Sequence, residues 1–523
     1  MINCELQGFV TSLRTVDLQI VAPLLVFATS LAICFHELYT WYRARRLPPG
    51  VSGLRCIFEI PSEKVWLKML RFNQQYGNIA SGSFFGYNII VIGSAKIAED
   101  LLEKRSTNYS DRPRSVMCGE LSGWGKIMLL SNYNDWFRAH RKWFAQDIGS
   151  YASVAKLHRM IEFEARRYLQ CVLEDSERNQ AHIRKYFTSI ILRLSHGYVT
   201  QAGDDPLVDL AHVANSQLSM ATAPGLYYVD FVPLMKYIPS WLPGAGFKRK
   251  AKKYAVVLRD LVEIPHNYVK SQLAAGTALP SLSSRIMSRP DLTEELEDSV
   301  KWATASMYQG GADTANSVSY AFYLAMTLSP RVMRKAQQEL DSVVGASRLP
   351  TFADRPSLPY MEALFTELLR WYTPGPTTIR CTRVDDEYNG YLIPAGSYVF
   401  VNIWGILRDE RTYSDPLEFK PERFLGDKPE PHPGNACFGF GRRKCPGYFL
   451  GHSSAWLMCA QSLAVFDITK CVENGVEITP EHNIVGETIV HLAPFQCSIK
   501  PRSAEAERLI RQEFPHTTDG RTE

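Results

Sequence analysis

The stretch Ala436–Gly451, ACFGFGRRKCPGYFLG, constrains the fold more than any other part of the chain. It sets a glycine-rich turn and three consecutive basic residues directly before a cysteine, and an apolar run follows. Such a loop holds a phosphate, a dinucleotide or a metal, or is only a tight turn. A dinucleotide fingerprint needs G-x-G-x-x-G. Gly439 and Gly441 supply the first pair, but Lys444 stands where the third glycine belongs. The G-K-[ST] of a Walker loop is absent. Downstream, Phe449, Trp456, Ala460 and Leu463 recur at helical spacing, and Pro446 suits a first helical turn. Cys445 is therefore expected at a helix amino terminus beside Arg442, Arg443 and Lys444. Amide donors, the helix dipole and nearby cations lower a thiol pKa there. A thiolate so held is a nucleophile or a soft metal ligand. No second Cys or His stands at zinc-cage spacing. Haem iron needs one protein ligand, and cysteine is among its axial choices.

Composition narrows the class. The 523 residues are 46% hydrophobic and 21% charged, as in globular proteins, with a net charge of +4 that gives no reason to expect nucleic acid. The 11 cysteines are scattered, odd in number and without a C-x-x-C pair, which argues against a disulfide framework and for a reducing compartment. Leu18–Phe35 carries no charge, and Arg43, Arg45 and Arg46 follow it. This pattern predicts a membrane anchor with the rest of the chain cytosolic. Leu47-Pro48-Pro49-Gly50 then reads as a stiff hinge. The expected organisation is a short luminal segment (1–17), a transmembrane anchor (18–38), a basic, proline-rich hinge (39–55), one catalytic domain (56–501) and a polar, frayed tail (502–523). Within the domain, helical patterns dominate from Ala95 to about Val384. Short strands are expected around Gly86 and over Tyr388–Asn402. The fold class is mainly α with a minor β-sheet.

A proline-free stretch, Asp291–Ser329, predicts one long helix, and it contains Gly310-Gly311-Ala312-Asp313-Thr314. Two glycines inside a helix cost about 1 kcal/mol each against alanine. Close approach of a bulky ligand and a local widening of the helix would explain them. An acid and an alcohol at such a break can hold water and pass protons. The bland alternative is a threonine back-bonded to its own helix on a solvated face.

Phe438 to Gly447, FGFGRRKCPG, resembles the haem-binding signature of the cytochrome P-450 family, F-x-x-G-x-R-x-C-x-G, at every fixed position. The resemblance spans about residues 47–500 with the motifs in order. It implies a single haem domain in which Cys445 is the axial iron ligand, Arg443 meets a propionate, and Phe438, Gly439 and Gly447 lie against haem b. It implies proton management by Asp313 and Thr314, with Ala315 departing from the family's frequent second hydroxyl. Arg380 and Arg141 become further propionate candidates, with either Trp136 or Phe137 in the slot the family gives to tryptophan. Glu367, Arg370 and Arg423 become a buried network bracing the loop before the cysteine. His140, Arg141, Lys142, Arg442 and Lys444 become a basic face for an acidic electron donor. The segments MYQGGADT and DDEYNGYLIPAGS look similar to fungal, basidiomycete-type secondary-metabolism members.

The activity so implied is an endoplasmic-reticulum monooxygenase. It takes electrons from an NADPH-cytochrome reductase, with a b-type cytochrome as a second donor, and inserts one atom of O2 into an apolar terpenoid, polyketide or aromatic molecule. A haem-thiolate isomerase or dehydratase and a non-catalytic electron-transfer protein are the alternatives. The acid–alcohol pair counts against the first, and the glycine break beside it against the second. By the same resemblance the substrate pocket draws on Met117–Trp124, Met307, Tyr308, Thr377, Thr378 and Thr488–Val490. Cys437 lacks the helix-start setting and is expected to be inert.

Overall fold

The computed structural model describes residues 46–52, 64–84 and 86–512. The expected anchor and luminal segment lie outside them. Among the described residues no helix is long and apolar enough to cross a membrane.

The longer helices, in chain order, are α1 (Val65–Tyr76), α2 (Asp135–Ile148), α3 (His158–Glu174), α4 (Asn179–His196), α5 (Pro206–Ala221), α6 (Gly246–Ala274), α7 (Glu294–Leu328), α8 (Pro330–Val343), α9 (Pro359–Trp371), α10 (Tyr448–Val465) and α11 (Ala504–Arg511). Side-chain caps mark several starts: Asn134 for α2, Asp205 ahead of Pro206 for α5, and Thr293 for α7. The 35-residue α7 runs through the interior and is buried along most of its length. It packs most extensively on α4 and also on α5, α9 and α10, so one apolar core surrounds it. Helix α10 is apolar nearly all round and buried on almost every side, rather than on the one face its spacing suggested.

The minor sheet has five strands. They are β1 (Gly50–Ser52), β2 (Ile79–Phe84), β3 (Tyr87–Ile92), β4 (Thr377–Cys381) and β5 (Tyr398–Asn402). Their order is β1-β2-β3-β5-β4. β2 and β3 form the hairpin expected around Gly86, and β3 runs parallel to β5. A separate hairpin joins β6 (Ile484–Gly486) to β7 (Val490–Leu492).

Two boundaries differ from expectation. Gly50–Ser52, read as the end of a hinge, pairs in parallel with β2, and the Ser81 hydroxyl donates to the Pro48 carbonyl at 2.6 Å. The stiff Pro-Pro segment thus leads straight into the sheet. The first part of the tail expected to fray instead forms α11, capped by Ser503, which buries Ala506, Leu509 and Ile510, and residues 513–523 of that tail lie outside the described residues. Arg502 clamps its start through two bonds to Asp341, 2.9 and 2.6 Å long.

Candidate haem-thiolate site

A cavity of about 560 Å³ lies between the middle of α7 and the loop that leads into α10. Gly310, Thr314 and Ala315 form one wall, and Phe438, Cys445 and Gly447 the other. The loop is held by backbone bonds: Cys445 N–H donates to the Phe438 carbonyl at 2.9 Å, and Arg141 donates to the Lys444 carbonyl at 2.6 Å. Gly441 has φ 58°, and a Cβ there would stand 2.0 Å from the Leu102 carbonyl oxygen. The signature glycine therefore lets the loop pass directly over a neighbouring backbone.

Helix α10 begins at Tyr448 with Gly447 as its cap, so Cys445 and Pro446 stand before the helix and not in its first turn. The sulfur is open to the cavity and enclosed by protein elsewhere. Burial pushes the thiol up, against the opposing pull of the Gly447 N–H and the Arg141 guanidinium. The expectation of an intrinsically acidic thiol is thereby corrected, because desolvation outweighs the neighbouring dipoles and cations. A metal would replace the proton outright.

Three buried guanidinium groups gather at one rim of the cavity. Arg443 donates to the carbonyls of Ser110 (2.7 Å), Met128 (3.2 Å) and Ser131 (2.6 Å), and its guanidinium lies 4.0 Å from the centre of the Phe137 ring. Arg380 donates to Thr378 Oγ1 at 2.7 Å and to the Ile379 carbonyl at 2.8 Å. Arg112, which the sequence did not single out, reaches the same Ile379 carbonyl at 2.5 Å, and among the described residues its Nε has no partner. Burial pushes Arg112 down to about 10 and Arg443 down to about 9, and holds Arg380 well below its ordinary range. No carboxylate pairs with any of the three among the described residues. A guanidinium does not give up its proton in a protein, and a buried unpaired charge is costly. The rim therefore calls for anions, and the two propionates of haem fit it. A cysteine thiol, an apolar cavity and a cationic rim together form a set of groups that haem fits.

A family model described as Cytochrome P450 matches residues 46–494. The chain belongs to the cytochrome P450 family. It is 42% identical over 500 residues to Cytochrome P450 monooxygenase 208 of Postia placenta, covering 93% of this chain and 97% of that protein. It is also 42% identical over 503 residues to Cytochrome P450 monooxygenase claR of Ampulloclitocybe clavipes, covering 94% and 93%. Against Cytochrome P450 monooxygenase ppsD of Aspergillus oryzae it is 38% identical over 480 residues, covering 89% and 90%. The chain is thus a haem-thiolate monooxygenase of fungal type, with the mainly helical P450 fold. Its cofactor is haem iron, its co-substrate O2, and its electrons come from NAD(P)H through a reductase.

The remaining expected residues of this P450 divide into those the fold gathers and those it does not. Of the two candidates for the tryptophan position, Phe137 lines the cavity beneath Arg443, while the Trp136 indole donates to the Lys126 carbonyl at 3.2 Å. His140 does not join a basic surface. It is fully buried against Ser299, and burial pushes it down to about 4. Arg141 also points inward, which leaves Lys142, Arg442 and Lys444 at the surface side of the loop. Met307, Thr377, Thr378, Thr488 and Ile489 line the cavity, whereas Met117–Trp124, Tyr308 and Val490 do not. Burial, with Cys445 close by, pushes the Cys437 thiol up.

Glu367 on α9 accepts from Arg370 at 2.7 and 2.8 Å, from Arg423 at 3.2 Å and from the Lys420 N–H at 2.8 Å. Arg370 in turn donates to the carbonyls of Leu407, Pro416 and Glu418. These carbonyls belong to the long loop that precedes the cysteine.

No break interrupts α7 at the glycines; it is continuous from Glu294 to Leu328. The Thr314 hydroxyl donates to the Gly310 carbonyl at 3.2 Å, as the bland alternative expected, yet it does so at the cavity wall. The glycines have separate causes. A Cβ on Gly310 would meet nothing and enter the cavity, whereas one on Gly311 would stand 2.4 Å from Ile191 Cδ1 on α4. Gly311→Ala gains about 1 kcal/mol of helix propensity but overpacks the α4–α7 contact by about 1–3 kcal/mol. Thermal unfolding is expected to show a lower midpoint for Gly311→Ala and no such loss for Gly310→Ala.

Proposed function

We propose that this P450 oxidises an apolar terpenoid, polyketide or aromatic skeleton in fungal secondary metabolism, at the cytosolic face of the endoplasmic reticulum. The observation that carries the site assignment is the Cys445 sulfur opening into an apolar cavity, with Gly310 and Thr314 opposite and a cationic rim beside it. When bound, the haem supplies oxygen activation and the oxidation itself. The chain supplies the rest. Cys445 would hold the iron through its sulfur, and Arg112, Arg380 and Arg443 would neutralise and orient the propionates. The cavity's apolar walls bind the substrate and exclude water. Thr314, at the wall facing Cys445, holds a proton at its hydroxyl for delivery into the cavity, and Asp313 is its source.

Membrane attachment is supported by the uncharged run Leu18–Phe35 with Arg43, Arg45 and Arg46 after it. It is also supported by a loop that exposes Tyr228, Leu234, Tyr237 and Trp241, the last at 79%, beside exposed Arg249 and Lys250. Aromatic and basic groups so combined suit a lipid interface. Lys142, Arg442 and Lys444 suit the acidic face of an NADPH-cytochrome reductase or a b-type cytochrome. The test is incubation with reductase, NADPH and isotopically heavy O2 against a panel of terpenoid and aromatic polyketide scaffolds. Gain of one heavy oxygen is expected on one class, and no product across the panel would refute the substrate reading. Recovery of the full chain in the soluble fraction, rather than in carbonate-resistant membranes, would refute the anchor.

A further inference from the structure

Asp313 and Thr314 are neighbours on α7, and successive helical side chains point in different directions. Thr314 faces the cavity, but Asp313 does not line it. Its carboxylate is 6% exposed and meets the imidazole of His491, from Nε2 to Oδ2, at 3.2 Å. His491 lies on β7 and is itself 28% exposed, so it spans from the buried acid to solvent.

The fold fixes this meeting. The Val490 carbonyl, one residue earlier, accepts from the Ser317 hydroxyl at 2.7 Å and from the Tyr372 hydroxyl at 3.0 Å. Ser317 is one helical turn beyond Asp313 on the same face. Pinning Val490 to Ser317 thus sets His491 beside Asp313. The Val490 N–H donates to the Pro374 carbonyl at 2.9 Å, which closes the clamp. Thr222 on the segment after α5 donates to Thr488 at 2.9 Å and holds the hairpin from the other side. The other groups near the pair are Arg184 from α4, His212 from α5 and the Tyr372 hydroxyl beyond α9, with Asp209 of α5 close to Arg184 and His212. Among the described residues Arg184 Nε has no hydrogen-bond partner, and a guanidinium does not relay protons. Of the groups facing Asp313, His491 is the one in direct ion-pair contact, and imidazole is the side chain that exchanges protons near neutral pH.

We propose that His491 is the surface-side proton relay to Asp313, and so a positioning residue for the acid–alcohol pair. The imidazolium N–H bond breaks as an O–H bond forms on Asp313, leaving neutral imidazole and a carboxylic acid. Water restores the imidazolium. Asp313 turns and releases its proton to the Thr314 hydroxyl oxygen, which passes its own proton into the cavity. Asp313 returns to His491 as the carboxylate. The proposal rests on the reading that Asp313 and Thr314 move protons in this P450.

The test uses the full-length holoenzyme with reductase, NADPH and O2 and no added substrate. His491→Gln, His212→Gln, Asp313→Asn and the His491→Gln/Asp313→Asn double variant are compared from pH 6 to pH 8. The readouts are NADPH oxidation, the fraction appearing as hydrogen peroxide, the solvent deuterium isotope effect and the thermal midpoint. Proton supply through an imidazole rises as pH falls. His491→Gln is expected to lose that rise, to oxidise NADPH at least threefold more slowly at pH 6, and to show a larger solvent isotope effect. His212→Gln retains the rise. The double variant should match Asp313→Asn in rate and in thermal midpoint, since the contact is already lost. A wild-type pH profile and isotope effect in His491→Gln, beside a damaged Asp313→Asn, would overturn the relay and leave the acid–alcohol reading standing. Additive losses in the double variant, or loss of the rise in His212→Gln alone, would also overturn it. An Asp313→Asn enzyme with wild-type behaviour would overturn both.

Discussion

The Cys445→Ser protein is expected to fold, yet to lose the red-shifted Soret band of its reduced, CO-bound form and at least about 10²-fold in turnover, or about 2.7 kcal/mol of barrier. The fold survives because the side chain points into the cavity. The bonds that hold the loop, Cys445 N–H to Phe438 and Arg141 to the Lys444 carbonyl, belong to backbone atoms on the loop side. The chemistry does not survive. A serine hydroxyl is a hard oxygen that cannot return electron density to the iron as a thiolate does. Cys437 also borders the cavity, and the Cys437→Ser protein tests the assignment. It is expected to keep the band and the turnover. Loss of the band in Cys437→Ser with retention in Cys445→Ser would exchange the two roles. The surrounding protein makes the Cys445 thiol a weak acid, so the axial thiolate depends on iron taking the proton's place.

What was legible in the sequence depended on whether a function needs contiguous residues. The cysteine loop does: its glycines, Arg443 and Cys445 must follow one another for the chain to pass over Leu102 and turn its sulfur to the cavity. The long helix and the Glu367–Arg370 pair were legible for the same reason, as periodic local patterns. Arg112 was not. It is one basic residue in a loop without periodicity, and it enters the site only because that loop packs on β4 at the Ile379 carbonyl. His491 is remote from Asp313 in the chain and meets it only through the clamp on Val490. The acidity of Cys445 was misjudged because cations and dipoles can be counted in a sequence, whereas burial cannot. The two glycines were flagged by what they cost a helix. Their separate causes, an open cavity and Ile191, exist only once α4 and α7 are packed.

Glu367 shows how far such a fold depends on one buried charge. Glu367→Ala is expected to yield no folded, haem-loaded protein. Glu367, Arg370 and the side chain of Arg423 are 0% exposed, so removing the carboxylate strands Arg370 inside and leaves Arg423 with Glu430 alone, at 2.7 Å. Breaking a buried pair in this way costs about 3–5 kcal/mol, against a total stability of about 5–15 kcal/mol. Glu367→Gln keeps the shape and one acceptor oxygen but turns an amide donor toward a guanidinium, so it is expected to lose most of the holoprotein as well. A sharper comparison replaces the whole set with apolar residues, Glu367→Met with Arg370→Met and Arg423→Leu. Such swaps are often neutral when the ions serve only one another. Here they do not: Arg370 also satisfies the carbonyls of Leu407, Pro416 and Glu418, and Arg423 those of Ser414, Asp415 and Glu418. The triple variant therefore leaves buried carbonyls without donors and is expected not to recover. Haem content per folded protein and urea unfolding would measure it. Recovery of wild-type stability in the triple variant would show that the network is self-contained and braces nothing, and the loop before Cys445 would then owe its position to its own backbone bonds.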